Sequence, residues 1–174
     1  MFIVGIDIAK RSHVARIIDS EGRIAAKPFS FRNSCSGYNA LLERMHKITN
    51  RKSEFILAME ATSHYWLALY TRLCRDGYLV VLLNPIQTHA VRELLNNGDA
   101  KTDEIDTMAI AETIRFGRYK PSRVPQDKLL ALRELCRNRY YLVDMASDLK
   151  RKITALLDQV FPEFETQFST IFGK

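Results

Sequence analysis

The chain has 174 residues, 47% of them hydrophobic, with seven glycines and five prolines, which suffices for one packed domain or one domain with an appendage. Its longest clean apolar run, Tyr78 to Leu83, falls far short of the ~20 residues of a membrane span, and Asp7 interrupts the N-terminal apolar run where a secretory leader could not carry it, so no membrane partner is expected. Cys35, Cys74 and Cys136 form neither a disulfide framework nor a CxxC pair, and His13, His46, His64 and His89 form no HExxH; the composition fits a reducing cytoplasm and excludes the common zinc motifs.

Phe2 to Ile8 reads as a buried strand, His13 to Asp19 as a second and Arg23 to Phe31 as a third, with a turn at Ser20-Glu21-Gly22. Two tight connections make these an antiparallel meander. Ser34 or Ser36 caps a helix through Tyr38, Leu41, Leu42, Met45 and Ile48. Glu54 to Met59 is a fourth strand ending on Glu60. His64 to Asp76 is a helix with Trp66, Leu69, Tyr70 and Leu73 inward, stopped by Gly77. Tyr78 to Leu83 is apolar throughout, which predicts a central, parallel fifth strand. Asn84-Pro85 opens a helix with Pro at its first position, running to about Gly98. Another helix follows, with Thr102 as its cap. Three antiparallel strands followed by βαβα crossovers predict a mixed five-stranded sheet with flanking helices, the arrangement of the ribonuclease-H-like fold.

Beyond residue 120, Pro121 and Pro125 bracket a short rigid linker (121–125). Residues 126–161 contain no Pro or Gly. Leu135, Leu142, Leu149 and Leu156 recur every seven residues, with Ala146, Ile153 and Val160 at the complementary position and Arg139 as the exception. That pattern predicts a long coiled-coil helix for self-association as a dimer or tetramer; the alternative is a helix folded back on the sheet. Pro162 ends it, and residues 162–174 read as the start of a further domain. The chain carries a net +6, yet Arg115 to Lys152 alone holds eleven Lys/Arg against four acids, a local +7. So concentrated an excess points to a polyanion, although a solvated helix face would look the same. Arg115, Arg118, Lys120 and Arg123 precede the long helix, and Lys150, Arg151 and Lys152 lie on it.

The segment Lys101-Thr102-Asp103-Glu104-Ile105-Asp106 sets two carboxylates, Asp103 and Asp106, on one helical face. Taken alone, acids in a first turn simply complement the macrodipole. Asp7 and Glu60, however, sit in or at the end of almost purely apolar strands, where a lone ionised carboxylate is costly to bury. Each must pair with a base (Lys10 or Lys101 for Glu60), take a proton or bind a metal. With the first and fourth strands as parallel neighbours, Asp7 and Glu60 can meet at the carboxyl ends of the sheet, where ligands of open α/β sheets gather. Four carboxylates with no His or Cys suit a hard cation, Mg²⁺ or Mn²⁺.

GIDIAK at 5–10, MEATSHYW at 59–66, Asn84-Pro85 and GDAKTDEIDTMAIA at 98–111 closely resemble the DEDD transposases, insertion-sequence recombinases of bacteria with a RuvC-like N-terminal domain, related to the Piv DNA invertases. The resemblance spans the whole chain. It implies a RuvC-like domain over 1–120 with Asp7, Glu60, Asp103 and Asp106 as a catalytic, Mg²⁺-binding tetrad, and a coiled coil after it. It also implies DNA as substrate and a structured noncoding bridge RNA as partner; Lys10, Lys101 and the basic residues 115–123 and 150–152 are the expected nucleic-acid contacts. Family members continue into a second domain with a serine nucleophile; this sequence stops at Lys174 without one, so it is expected to be an N-terminal piece. Two other classes remain open. Actin-like ATPases and sugar kinases also begin with a strand-borne Asp, but this chain has no GxGxxG or P-loop. A nucleic-acid-binding and dimerisation module with purely structural acids would show no response to Mg²⁺ or Mn²⁺.

Overall fold

The N-terminal meander turns where its residues demand it. β1 (Phe2–Asp7), β2 (Ser12–Asp19) and β3 (Ile24–Arg32) are joined by tight connections. In the second, Asp19 Oδ1 accepts from the amides of Glu21 and Arg23 at 2.9 Å each, and Gly22 takes the left-handed φ of +86° that only glycine adopts freely. The computed structural model describes residues 1–174 apart from 62, 96–102, 118, 123, 125–126, 168–170 and 174; the side chains of 103, 127 and 165 are also outside the description.

The remaining elements of the first unit, Met1–Arg123, are α1 (Cys35–His46), β4 (Phe55–Glu60), α2 (Trp66–Arg75), β5 (Leu79–Leu83), α3 (Pro85–Leu95) and α4 (Asp103–Arg115). Of the two candidate caps of α1, Ser34 wins: its Oγ accepts from Gly37 N at 3.2 Å. Asn84 caps α3 through Oδ1 and the Ile86 amide at 3.0 Å, with Pro85 at the first helical position, where its missing N–H costs nothing. The Thr102 cap expected for α4 lies outside the described residues.

The sheet order is β3-β2-β1-β4-β5. β1 pairs antiparallel with β2 and β2 with β3, whereas β4 runs parallel to both β1 and β5. This mixed five-stranded order is that of the ribonuclease-H-like fold. β5 is parallel, but it is an edge strand and not a central one. Its apolar run reads as two-sided burial, yet within the strand only Val81, Leu82 and Leu83 are buried, and Leu79 is 59% exposed. The opposite edge, β3, accommodates Pro28, which an interior strand could not.

Alternation divides the sheet into two faces. α1 and α2 cover the side of His13, Phe31 and Leu57, while α4 lies on the side of Ile3, Ile18, Ala58, Val81 and Leu83, packing Ile110, Ala111 and Ile114 against them. Two small residues let α4 come close. Gly5 and Ala58 are register partners on β1 and β4. A Cβ on Gly5 would lie 2.9 Å from Ala111 N and 3.0 Å from Ala111 Cβ, and closer still to the Thr107 carbonyl oxygen. Gly5 is therefore the point of contact between sheet and helix backbone.

The second unit, Val124–Lys174, consists of α5 (Asp127–Val160) and the short α6 (Phe164–Gln167). α5 is one uninterrupted helix of 34 residues. Leu135, Leu142, Leu149, Ile153 and Leu156 are all exposed on it, Leu142 to 62% and Leu149 to 56%. No described helix is long and apolar enough to cross a membrane.

Candidate active site

The parallel register of β1 and β4 runs Gly5↔Ala58 and Ile6↔Met59. One step further, Asp7 and Glu60 close the two strands side by side at their carboxyl ends. Both fall two residues beyond the Gly5–Ala58 pair, so by alternation they belong to the face that carries α4. The same Gly5 contact that seats Thr107 and Ala111 on the sheet brings the first turn of α4, with Asp103 and Asp106, to that end. The approach is fixed by backbone meeting backbone, which leaves little slack.

Two arginines hold the first turn of α4. On one side Arg16, the register partner of Gly5 on β2, is buried to 8% exposure. Its Nη1 contacts Met108 Sδ at 3.7 Å and its Nη2 lies 3.7 Å from Glu104 Oε2. Burial lowers the Arg16 pKa and Glu104 opposes that fall; a guanidinium keeps its charge regardless. On the other side Arg92 reaches from α3. Its Nη2 donates to Glu60 Oε1 at 2.9 Å, and its Nε forms an ion pair with Asp106 Oδ1. Thr88, one turn earlier on α3 and fully buried, sets its hydroxyl against the same Glu60 oxygen. Glu60 and Asp106, with side chains 10% and 8% exposed, thus converge on one guanidinium.

Among the described residues Arg92 stands as a cation beside Glu60, and Lys101, one of the two bases expected to pair with Glu60, lies outside the described residues. Arg92 and Thr88 do not stand out in the sequence. The signal that could have found them is their spacing, since residues four apart on a helix that follows a parallel strand share one face. Asp103 opens α4, but its side chain is outside the description. Among the described residues no three His, Cys, Asp or Glu side chains form a group able to hold a metal. The chemistry of the carboxylates fits a hard cation all the same. They are oxygen donors only, and the two that visibly converge do so around a positive charge.

The basic residues divide into engaged and open. Arg115, at the end of α4, donates to the buried Glu112 at 2.7 Å and stacks over Phe116 at 4.9 Å. Lys10 and Lys120 are exposed in the first unit. On α5, Lys152 is exposed, Arg151 pairs with Asp148, and Lys150 lies over the Phe172 ring at 5.3 Å. Arg118 and Arg123 are outside the described residues.

A family model described as a transposase, of the DEDD type typified by IS110, matches residues 4–162. The chain is 26% identical over 160 residues to a Streptomyces coelicolor protein whose name describes a mini-circle putative transposase for IS117; the match covers 91% of this chain and 38% of that relative, so the chain spans well under half the relative's length. Among solved structures it is similar to Thermus thermophilus RuvC, with a TM-score of 0.44 at 20% identity, over 70% of this chain and 100% of the other. RuvC of the same organism in complex with a Holliday junction substrate gives 0.46 at 17% identity, over 70% and 99%. The sheet order and strand directions, not these superpositions, identify the fold.

Proposed function

The chain belongs to the DEDD transposase family, and on that premise we propose that it is the RuvC-like part of a DNA transposase, working in Mg²⁺-dependent cleavage and exchange of DNA strands guided by a structured RNA. Asp7, Glu60, Asp103 and Asp106 are the acids of its catalytic centre and would hold Mg²⁺ or Mn²⁺. The observation that carries this reading is the convergence at the carboxyl end of β1 and β4. Two strand-end acids lie in adjacent register, a helix turn bearing two more is seated over them by the Gly5 contact, and a cation already bridges one acid from each group. A structural role for the acids alone does not account for gathering so many carboxylates at one end of the sheet, where they repel each other.

A divalent ion held there would supply Lewis-acid activation of the attacking nucleophile and stabilisation of the leaving phosphodiester oxygen. The chain's own residues do the rest. β1 and β4 fix Asp7 and Glu60 on a rigid sheet. Arg16 and the Gly5 contact fix the height and pitch of the first turn of α4. Domains in this reading are a catalytic domain over 1–120, a linker over 121–125, a self-associating coiled-coil helix over 126–161, and from 162 the beginning of a further domain. The exposed apolar row on α5 supports the coiled coil, because a row of leucines left in water is a seam awaiting a partner helix. Lys10, Lys101, Arg115, Arg118, Lys120 and Arg123, with Lys150, Arg151 and Lys152 on α5, are the candidate contacts to RNA and DNA phosphates.

The test is Mn²⁺ titration of the chain by calorimetry, together with thermal melts. Clustered acids stabilise when a cation binds them, so Mn²⁺ should raise the melting temperature. Asp7→Asn should abolish that response while leaving the metal-free melting temperature equal or higher. A variant that responds to Mn²⁺ like the parent would remove Asp7 from the centre and favour a nucleic-acid-binding module with structural acids.

A further inference from the structure

Arg92 stands between Glu60 and Asp106. Its guanidinium bonds Glu60 at 2.9 Å and pairs with Asp106, and its own side chain is only 19% exposed. Both carboxylates are nearly buried, and Thr88 adds a hydroxyl to the Glu60 oxygen that Arg92 uses. Two acids in so little water need a positive charge between them, and the planar guanidinium of Arg92 supplies one that reaches both. A divalent ion shared by Glu60 and Asp106 would compete with this guanidinium for the same two carboxylates.

We propose that Arg92 is a built-in competing cation. It holds Glu60 and Asp106 together in the metal-free protein, and its guanidinium must release at least one of them before a divalent ion binds, so Arg92 sets the metal affinity of the centre. This rests on the reading of the acids as a metal centre given above. It assigns Arg92 a positioning role that a simple surface arginine lacks. The metal-free site is kept assembled, so α4 does not drift from the sheet by like-charge repulsion, and metal entry exchanges one cation for another. The long side chain on α3 lets the guanidinium move without moving the helix, since its stem has several rotatable bonds.

Calorimetric Mn²⁺ titrations and metal-free melts of the chain, of Arg92→Gln and of Arg92→Lys test this. Arg92→Gln removes the charge; Arg92→Lys keeps the charge but replaces the planar fork with a single ammonium. Competition predicts that both variants melt lower than the parent without metal. It also predicts that Arg92→Gln binds Mn²⁺ at least about tenfold more tightly, with Arg92→Lys between it and the parent, and that added Mn²⁺ narrows the gap in melting temperature. Three results overturn the proposal while leaving the metal centre standing. They are equal Mn²⁺ affinity in all three proteins, weaker binding in both variants (Arg92 would then arrange the ligands for the metal), or tighter binding in Arg92→Gln with Arg92→Lys unchanged (a general charge effect without competition for the oxygens). Absence of Mn²⁺ binding in all three overturns the metal centre and this proposal together. Binding by Arg92→Gln alone, with none by the parent, supports both.

Discussion

Gly5→Ala adds one carbon at the place where β1 meets the backbone of α4. The new Cβ would lie 2.9 Å from Ala111 N, 3.0 Å from Ala111 Cβ and inside contact with the Thr107 carbonyl oxygen. Ordinary contact lies near 3.5 Å, so α4 must retreat by at least roughly half an ångström. Two of the three opposing atoms are backbone and cannot rotate aside. The helix moves as a body and loosens Ile110, Ala111 and Ile114 against Ile3, Ala58 and Leu83. Overpacking of this kind costs about 1–3 kcal/mol, a fall in melting temperature of roughly 4–15 °C for a unit of this size. The same retreat carries Asp103 and Asp106 away from Asp7 and Glu60, so Mn²⁺ stabilisation should shrink along with stability. In a full-length transposase, misplacement approaching 1 Å at the reacting centre costs on the order of a hundredfold in rate. Ala111→Gly removes only the side-chain contact and should not rescue Gly5→Ala. Differential scanning calorimetry with and without Mn²⁺ reads both effects. A Gly5→Ala protein that melts within a degree of the parent and keeps its Mn²⁺ response would show that α4 is not seated by this glycine.

Leu149→Glu puts a charge in the middle of the leucine row of α5, 56% exposed in the single chain, and should convert an oligomer to a monomer on light scattering; an unchanged mass would exclude that row as the seam. Arg16→Met removes the charged contact to Glu104 and the donor to Met108 Sδ, leaving Glu104 exposed and unharmed, so its melting temperature should stay within a few degrees of the parent while the Mn²⁺ response weakens. His13 is 1% exposed, its Nδ1 accepts from Ala9 N at 3.3 Å, and burial lowers its pKa. The unfolded chain therefore takes the proton first, so stability is full above the unfolded value near 6.5 and declines as pH falls below it, by at most about 1.4 kcal/mol per pH unit. His13→Gln should flatten that decline in melts between pH 7 and 5. If Lys150, Arg151 and Lys152 bind phosphates, changing all three to Ser should lower the slope of log affinity for structured RNA against log salt by roughly 0.7–0.9 for each phosphate no longer neutralised; an identical slope would make them an ordinary solvated face.

The sheet was legible because its chemistry is local. The meander announces itself through Asp19 and Gly22, which make the turn, and α3 through Asn84-Pro85, which caps and starts it. The direction of β5 followed from the helix before it, which must cross over to a parallel partner. Its position at the edge did not follow, because an apolar run states that a strand is buried and not on how many sides. In the candidate site, Asp7 and Glu60 stood out as acids in apolar strands. Their register followed from parallel pairing of β1 with β4. The Arg92 bridge was not legible. Arginine at an interior position of a mixed helix looks like solvent-facing charge until the fold turns that helix toward the ends of the strands. The partner of Arg115 was not legible either: it counts toward the basic stretch, and Glu112, three residues back on the same helix, engages it.

The position of Gly5 ties the GIDIAK motif to the candidate site. In GIDIAK the glycine and the acid are two residues apart on one strand, hence on one face. The glycine decides how near α4 comes, and the acid stands where the first turn of α4 then arrives. With a larger residue at 5, the first turn of α4 would stand off from the end of β1 that carries Asp7. Arg16 and Arg92 then grip that turn from its two flanks, one through Glu104 and Met108, the other through Asp106 and Glu60. The grip through Arg16 engages Glu104, whereas the grip through Arg92 engages Glu60 and Asp106, two of the proposed metal-binding acids. A site that admits a cation must yield at one of these contacts, and the geometry points to Arg92, whose guanidinium sits on the Glu60 and Asp106 carboxylates themselves.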